Sequence, residues 1–251
     1  FKNVPQFAHA NIFTDSLSTI RTFEPFIEDY AHKRYSFFVT ELVRAYDTTA
    51  YKKLEAKGAK KVIINYSRDV GRYFVLSPEE VMTGQFEDSV ITGRIVLLGY
   101  VNTNPSDLED KKITPMNSRF AGKSIPDMNG VVVHANIISM VLDKDYIKKV
   151  PLWGNLLLAV IVCWLHMSFF IHYYLESHIW FHLAAKIAQV ISAIFFVWLG
   201  IYLYDRYRLK VDMKMSLVTI VLAVDVIYFY EAWAVWMHKK FHFKTVFKPH
   251  H

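Results

Sequence analysis

Five polar side chains between residues 107 and 136 are of types that bind ligands in proteins: Asp107, Asp110, Thr114, His134 and Asn136. The first three follow the apolar run Arg94–Gly99, and the last two lie in the next apolar run, Gly130–Leu142. Ligands of open α/β sheets bind outside the carboxyl ends of strands, so a strand at Arg94–Gly99 would place these groups around a ligand site. The alternative is structural: His134 and Asn136 hydrogen-bond buried backbone, and Asp107–Asp110 forms a solvated turn.

Four further ionisable groups lie inside long apolar runs of the C-terminal part: His166, Lys186, Asp225 and Glu231. If residues 1–150 lie outside the cytoplasm, each helix has an outer end on that side of the membrane. At about 1.5 Å per helical residue, Lys186 and Glu231 then lie at similar depths, roughly 27 and 24 Å from these outer ends. Charges in hydrocarbon are costly, so these groups should face one another or a partner. The structural interpretation is a Lys186–Glu231 pair that fixes helix register. The functional one is an ion path or a docking site for another membrane subunit. Asp225 has no base at its depth, which indicates protonation or a partner chain.

Catalytic and metal motifs are missing from the sequence. It contains no P-loop, GxGxxG, GxSxG or HExxH pattern, so we expect neither an enzyme nor a bound cofactor. The histidine pairs His178/His182 and His238/His242 have i, i+4 spacing but no third ligand, which predicts no metal site. The single cysteine, Cys163, excludes an intrachain disulfide.

The chain has 251 residues, is 53% hydrophobic and carries a formal net charge of +6. Opposite charges nearly balance in residues 1–150, whereas residues 151–251 are strongly apolar. The basic excess therefore lies beside apolar runs and not on one folded face, which argues against a nucleic-acid partner. We predict two domains that meet near residue 150.

Three apolar runs predict transmembrane helices at about 152–175, 183–204 and 215–236, within a bundle spanning 151–237. Each approaches or exceeds the roughly 20 residues that a bilayer crossing requires, and Trp and Tyr side chains concentrate near the ends. A bundle of buried helices in a soluble protein is the alternative, but the runs exceed ordinary core-helix lengths. The lipid bilayer is therefore the first expected partner.

The basic tail, residues 238–251, predicts a cytoplasmic C-terminus, because cytoplasmic loops are enriched in Lys and Arg. Three crossings then place residues 1–150 outside the cytoplasm. The loop Asp205–Lys214 is also basic and opposes this orientation. The start at Phe1 suggests that the protein extends upstream, and His250–His251 fits either native sequence or a purification tag.

The N-terminal part alternates helical and strand patterns. Apolar spacing predicts a helix over roughly Phe37–Lys57, and a short strand follows at Lys61–Asn65. Ser77 before Pro78 predicts a helix N-terminus. The continuous apolar run Arg94–Gly99 is typical of a strand buried on both faces. We therefore predict an α/β domain with a mainly parallel sheet.

Four segments precede the three apolar spans in a characteristic order: SPEEVMTGQF (Ser77–Phe86), GRIVLLG (Gly93–Gly99), an Asp-containing loop with Thr114-Pro115, and GVVVHANIISMVL (Gly130–Leu142). In this combination the chain resembles the type-two CHASE family, the "cyclases/histidine kinases associated sensory extracellular" domains. Its overall pattern looks like that of the versions in Bacteroidota envelopes. The resemblance covers the C-terminal half of such a domain and the membrane bundle behind it.

This resemblance implies an extracytoplasmic α/β sensory domain in the bacterial inner membrane, normally preceded by one anchor. The family's anchor and first strands are missing, so part of the sheet would be absent at the N-terminus. The usual output domain is not expected within these residues, so signalling would require a membrane or periplasmic protein partner, and a second copy of the chain is a further candidate partner. The alternative is a structural or scaffold subunit of a multi-protein envelope complex. An enzyme or transporter is a more distant third.

Overall fold

The elements of the first 146 residues are short, apart from three helices. In this computed structural model, residues 8–12, 14–16, 18–28, 30, 32–102, 104, 106–117, 124–176 and 181–242 are described. The chain divides into two compact units, Phe1–Tyr146 and Ile147–His251, close to the predicted boundary. Unit 1 contains β1 (Thr22–Phe23), β2 (Phe26–Glu28), β3 (Arg34–Ser36), α1 (Phe38–Tyr46), α2 (Thr48–Glu55), β4 (Val62–Ile63), α3 (Pro78–Thr83), β5 (Lys111–Lys112), β6 (Met128–Asn129) and α4 (Gly130–Leu142).

The predicted helix over Phe37–Lys57 is two helices, because Asp47 interrupts it. Asp47 has an extended backbone, and its Oδ1 accepts hydrogen bonds from the backbone N–H groups of Thr49 and Ala50, at 2.8 and 3.0 Å. These bonds satisfy donors that a helix start leaves open. The strand predicted at Lys61–Asn65 is confirmed in place as β4.

The predicted N-cap at Ser77 is confirmed. Ser77 Oγ accepts from the N–H of Glu80, and the Glu80 carboxylate accepts from the N–H of Ser77 at 2.6 Å. This reciprocal capping box begins α3. The helix ends at Gly84, whose φ of 67° is left-handed and favours glycine.

The predicted mainly parallel sheet is not confirmed. In the described part of unit 1, three two-stranded sheets are antiparallel: β1 with β4, β2 with β3, and β5 with β6. Parallel pairing in this unit occurs only as isolated bridges, His9 with Phe37 and Thr19 with Ile113, within the described ranges. Helices, not a continuous sheet, contribute most of the core.

The segment Arg94–Gly99 is extended but is not a strand of any described sheet. Ile95 and Leu97 pack on the core, whereas Val96 and Leu98 are 52% and 93% exposed. The continuous apolar run predicts burial on both faces, but only one face of this segment meets the core.

The core of unit 1 lies between α1, α2 and α4. The fully buried side chains there include Val39, Val43, Leu54, Val133, Ile137 and Val141. Apolar residues recur at helical spacing on α1, which places one face against α4. Because α4 is buried along most of its length, it is the central element of this unit.

Unit 2 contains β7 (Lys148–Lys149), α5 (Leu152–Glu176), α6 (Phe181–Tyr207), β8 (Leu209–Lys210) and α7 (Lys214–Phe241). The three helices are long and apolar enough to cross a membrane, at the predicted positions. Most large apolar side chains point outward, while a narrow seam that includes Phe170, Phe181 and Ile227 is buried. This arrangement is typical of helices whose outer surface is lipid. His178 and residues 243–251, with His250–His251, lie outside the described residues, as does the His182 side chain.

Candidate functional site

The extended segment Arg94–Gly99 lies against the first turn of α4 through Gly99. A Cβ atom at Gly99 would stand 2.7 Å from Val131 Cβ, closer than real Cβ contacts allow. Only glycine lets the backbone approach this helix so closely. The close approach holds the segment beside Gly130, where α4 begins.

The backbone of Ile95–Val101 is an open edge. Within the described ranges, its N–H and C=O groups make no backbone–backbone hydrogen bond. Only at Asn102 does pairing resume, when its N–H donates to Asn129 Oδ1 at 3.2 Å. An extended segment with free donors and acceptors can accept a neighbouring strand or another hydrogen-bonding ligand.

A cleft of about 500 Å³ opens between this segment and α4. Leu97, Ile12 and Phe38 supply apolar walls, and its ionisable lining groups are Asp110, Lys112 and His134. This volume falls within the roughly 300–1,000 Å³ typical of small-molecule sites. A few polar groups among apolar walls are what such a site uses to orient a ligand.

Asp110 lies beside the N-terminus of α4. Its φ of 53° is left-handed, and its Oδ2 accepts a hydrogen bond from the Gly130 N–H at 3.2 Å. Its Oδ1 lies 3.6 Å from Lys112 Nζ. A carboxylate at a helix N-terminus is stabilised by the helix dipole, so Asp110 and Lys112 form a charged pair on one rim of the cleft.

His134 lies one turn further along α4, between two aromatic rings. Its ring centroid is 5.5 Å from that of Phe37 and 5.4 Å from that of Phe38. Burial lowers the pKa of His134, although Asp110 and a hydrogen bond with the Ala10 backbone act in the opposite direction. Its Nδ1 is buried and has no hydrogen-bond partner among the described residues. The imidazole is therefore neutral at pH 7.

The predicted residue Asp107 belongs to a separate, exposed cluster. It accepts hydrogen bonds from the Glu109 N–H at 2.9 Å, from the Tyr100 hydroxyl at 2.8 Å and from the Asn102 amide. These bonds stabilise the ionised form and lower the pKa of Asp107, with the Glu109 N–H the largest contribution. Asp107 holds its own loop and does not line the cleft.

The predicted residues Thr114 and Asn136 are buried and engaged in structural hydrogen bonds. Thr114 donates from its N–H and its hydroxyl to the Asp127 carboxylate, at 2.8 and 2.6 Å. Asn136 donates to the Arg68 C=O at 2.8 Å and to the Val132 C=O at 3.0 Å. The structure thus brings Asp110 and His134 into one cleft and places the other three predicted residues elsewhere.

Two contributors to the cleft were missed from the sequence: Lys112 and Gly99. Lys112 lies two residues after Asp110, and a base so close in the sequence to a predicted carboxylate is the signal that could have identified it. Gly99 gave no comparable signal, because its role depends on contact with Val131, which is distant in the sequence.

In unit 2, two of the predicted intramembrane residues link helices. His166 Nδ1 donates to the Val162 C=O at 2.9 Å, and its Nε2 lies 2.9 Å from Ser192 Oγ on α6. Glu231 on α7 accepts from the Tyr174 hydroxyl on α5 at 2.7 Å.

The predicted Lys186–Glu231 pair is wrong. Lys186 is exposed on the outer side of α6, next to the buried Ala185, and makes no described interaction. Equal depth along two helices does not determine whether two side chains share a face, and here they do not. Asp225 is likewise exposed on α7 and forms no hydrogen bond or ion pair with the described residues.

Gln189 is an intramembrane polar residue that the sequence analysis missed. Its Nε2 donates to the Ile220 C=O at 2.9 Å and the Val221 C=O at 3.0 Å. The bonds join α6 to α7 at a buried position. An amide in an apolar run is the signal that could have identified it, since such groups hydrogen-bond across membrane helices.

A metal centre is not formed by the described residues. Within these ranges, no three or more His, Cys, Asp or Glu side chains are grouped closely enough to hold an ion.

A family model described as the CHASE2 domain matches residues 2–170, most of the chain. The chain belongs to the CHASE2 domain family. The resemblance inferred from Ser77–Phe86, Gly93–Gly99 and Gly130–Leu142 is thereby confirmed, while the similarity to Bacteroidota versions stays a prediction. Comparison with curated proteins and with solved structures returned no match.

The CHASE2 match covers the cleft and α4 and continues into α5. CHASE2 domains are extracellular sensory domains, and the three apolar helices indicate membrane insertion. The family assignment therefore concerns the unit that contains Asp110, Lys112 and His134, together with most of the first membrane helix.

Proposed function

We propose that this protein is a sensory protein of the bacterial inner membrane. Its CHASE2 domain lies in the periplasm, receives a signal from the cell envelope and relays it through the membrane helices to a partner protein. The observation that carries this proposal is the single CHASE2 match that runs from residue 2 to residue 170 and so includes most of α5. The proposed role contains no chemical step.

The cleft beside α4 is the proposed site of signal reception. It combines apolar walls with the Asp110–Lys112 pair and a neutral His134. A ligand that contacts these groups better in one arrangement of unit 1 stabilises that arrangement by its differential affinity. Because Gly130 and His134 are part of α4, such a preference acts directly on this helix.

The relay would use the continuity of the chain. α4 ends at Leu142, and residues 143–151 connect it to α5 at Leu152. A change in the position of α4 would bias how the chain enters α5, as in transitions where a packed helix shifts between two arrangements.

Orientation can be tested by cysteine labelling. In a Cys163→Ser background, Ser89→Cys reports on unit 1 and Lys240→Cys reports on the end of α7; both positions are exposed. A membrane-impermeant maleimide should label Ser89→Cys in intact spheroplasts and Lys240→Cys only after lysis. The opposite pattern would overturn the periplasmic assignment.

The relay can be tested by comparing partner recovery. The tagged full chain is extracted in mild detergent from cells expressing wild type, Asp110→Asn or His134→Gln. We expect either cleft variant to change the amount of the co-purifying partner, whereas the exposed control Asp88→Asn should not. If every variant recovers the wild-type amount, the cleft does not govern partner binding.

A structural or scaffold subunit of an envelope complex is the second candidate. Lys186 and Asp225 favour it, because charged groups exposed on membrane helices require a partner or neutralisation. Under this candidate, stoichiometric partners should be lost in Asp225→Leu and retained in the neighbouring control Val226→Leu. A lone chain or dimer carrying a bound small molecule would favour the sensor instead.

A further inference from the structure

One end of the membrane bundle is fastened by a short parallel pairing. The N–H of Lys148 donates to the Arg208 C=O at 2.8 Å, and the N–H of Val150 donates to the Lys210 C=O at 3.0 Å. This joins β7, just before α5, to β8, which connects α6 and α7. Chain segments that are distant in the sequence are therefore held at the same end of the bundle.

The pairing gathers basic side chains at that end. Five of them form what we call the basic collar: Lys148, Lys149, Arg206, Lys210 and Lys214. All five are exposed, and none forms an ion pair within the described residues. The Asp212 side chain accepts from the Lys214 backbone N–H, at 3.2 Å. The five collar groups outnumber the two carboxylates of the same connection, Asp205 and Asp212, so this end of the bundle keeps a net positive charge.

Aromatic side chains mark the level of the collar relative to lipid. Trp153, near the start of α5, is 70% exposed, and Tyr207, at the end of α6, is 59% exposed. Exposed Trp and Tyr near the ends of membrane helices lie at the headgroup level. Lys148, Lys149 and Lys210 lie beyond these aromatic residues along the chain. We therefore expect these lysines at the level of lipid phosphates.

We propose that the basic collar binds the headgroups of anionic phospholipids in the adjacent leaflet. Lipid headgroups and free inorganic phosphate would both present phosphate oxygens to these basic side chains. The collar fits the lipid source because exposed apolar helices continue directly from it. Its charges also come from three helix ends, which suits several headgroups better than one small ion. The inference does not depend on which side of the membrane this end occupies.

The test uses the full chain in vesicles containing equal amounts of phosphatidylcholine and phosphatidylglycerol. After brief detergent extraction, the phosphatidylglycerol retained relative to phosphatidylcholine is measured by mass spectrometry. We expect enrichment in the wild type and a decrease of about fivefold for each lysine removed in Lys148→Gln, Lys149→Gln and Lys210→Gln, up to loss of the preference. The backbone bonds of β7 and β8 remain in these variants.

The matched control removes three exposed lysines from unit 1: Lys52→Gln, Lys53→Gln and Lys60→Gln. It changes the net charge equally and should retain the wild-type enrichment. Replacing the three collar lysines by arginine should also retain it, which separates charge loss from misfolding. The proposal is overturned if the glutamine variant keeps full enrichment or the control loses as much. Displacement of the bound lipid by millimolar inorganic phosphate would likewise replace the lipid assignment with a simple anion site.

Discussion

The Asn136 side chain on α4 makes two hydrogen bonds with the backbone of Arg68 and so connects this helix to the loop that contains Arg68. Asn136 Nδ2 donates to the Arg68 C=O at 2.8 Å, and Asn136 Oδ1 accepts from the Arg68 N–H at 3.1 Å. The Arg68 guanidinium also donates to Ser139 at 2.9 Å and to Asp143 at 3.0 Å. Successive turns of α4 are therefore tied to the same loop, on the helix that also bounds the cleft.

Replacing Asn136 with alanine should loosen this attachment. The change leaves partly buried backbone groups at Ser67 and Arg68 without this partner, so we expect unit 1 to lose about 1–2 kcal/mol of unfolding free energy. Hydrogen–deuterium exchange of α4 peptides in the full chain measures this. Asn104→Ala, in an exposed loop, should change exchange little. Equal protection in Asn136→Ala and wild type would contradict the structural role.

Adding a methyl group at Gly99 should displace the extended segment from α4. Gly99→Ala places a Cβ 2.7 Å from Val131 Cβ, and overpacking of this kind costs about 1–3 kcal/mol. Gly71→Ala is the control, because its Cβ would meet only the Asp69 carboxylate, at 3.5 Å. Adding Val131→Gly to Gly99→Ala removes the Val131 Cβ and Cγ atoms, which lie within 3.2 Å of the added Cβ. The double variant should therefore lose less thermal stability, measured by circular dichroism, than the two single variants together. Strictly additive losses would place the strain elsewhere.

His134 should make unit 1 less stable in mild acid. Burial lowers its folded-state pKa below the ordinary 6.5, so the unfolded chain takes up the proton first as pH falls. The contribution to stability is complete above about pH 6.5 and is lost as pH decreases toward the folded-state pKa. Unfolding temperatures between about pH 7.5 and pH 5 should fall less in His134→Gln than in wild type. The exposed control His32→Gln should keep the wild-type slope; identical slopes in all three chains would exclude this assignment.

Alternate residues of the extended segment should differ in their effect on stability. Leu97 packs on the core, so Leu97→Ala should cost about 1–2 kcal/mol, less than a fully buried leucine. Leu98 is exposed, so Leu98→Ala should change the unfolding free energy by less than about 0.5 kcal/mol. Denaturant unfolding of the full chain, followed by circular dichroism, compares the two. A large loss in Leu98→Ala would mean that another segment or chain covers this face.

Gln189 should contribute measurably to the membrane bundle. Gln189→Leu removes two hydrogen bonds from α6 to α7 and should lower bundle stability by about 0.6–1.7 kcal/mol. All six tryptophans lie in unit 2, so tryptophan fluorescence during thermal unfolding in detergent reports on the bundle. Ile191→Leu, on the exposed side of α6, is the control. If Gln189→Leu and the control unfold at the same temperature, these hydrogen bonds make no net contribution to the stability of the bundle.

The sequence alone predicted the features that depend on neighbouring residues. The three membrane helices follow from long apolar runs, and the start of α3 follows from Ser77, Pro78 and Glu80, which satisfy the helix end locally. The ordered segments also identified the CHASE2 family. Each of these signals lies within a few residues or in a fixed order along the chain.

Only the tertiary structure decided the features that depend on distant partners. Whether Arg94–Gly99 pairs as a strand depends on neighbouring backbone, and an apolar run cannot reveal that one face stays open. Whether Lys186 meets Glu231 depends on the rotation of α6, which is set by Ala185 and Gln189 facing inward. Composition and spacing report depth and periodicity, but lateral pairing and helix rotation are determined by packing between segments far apart in the sequence.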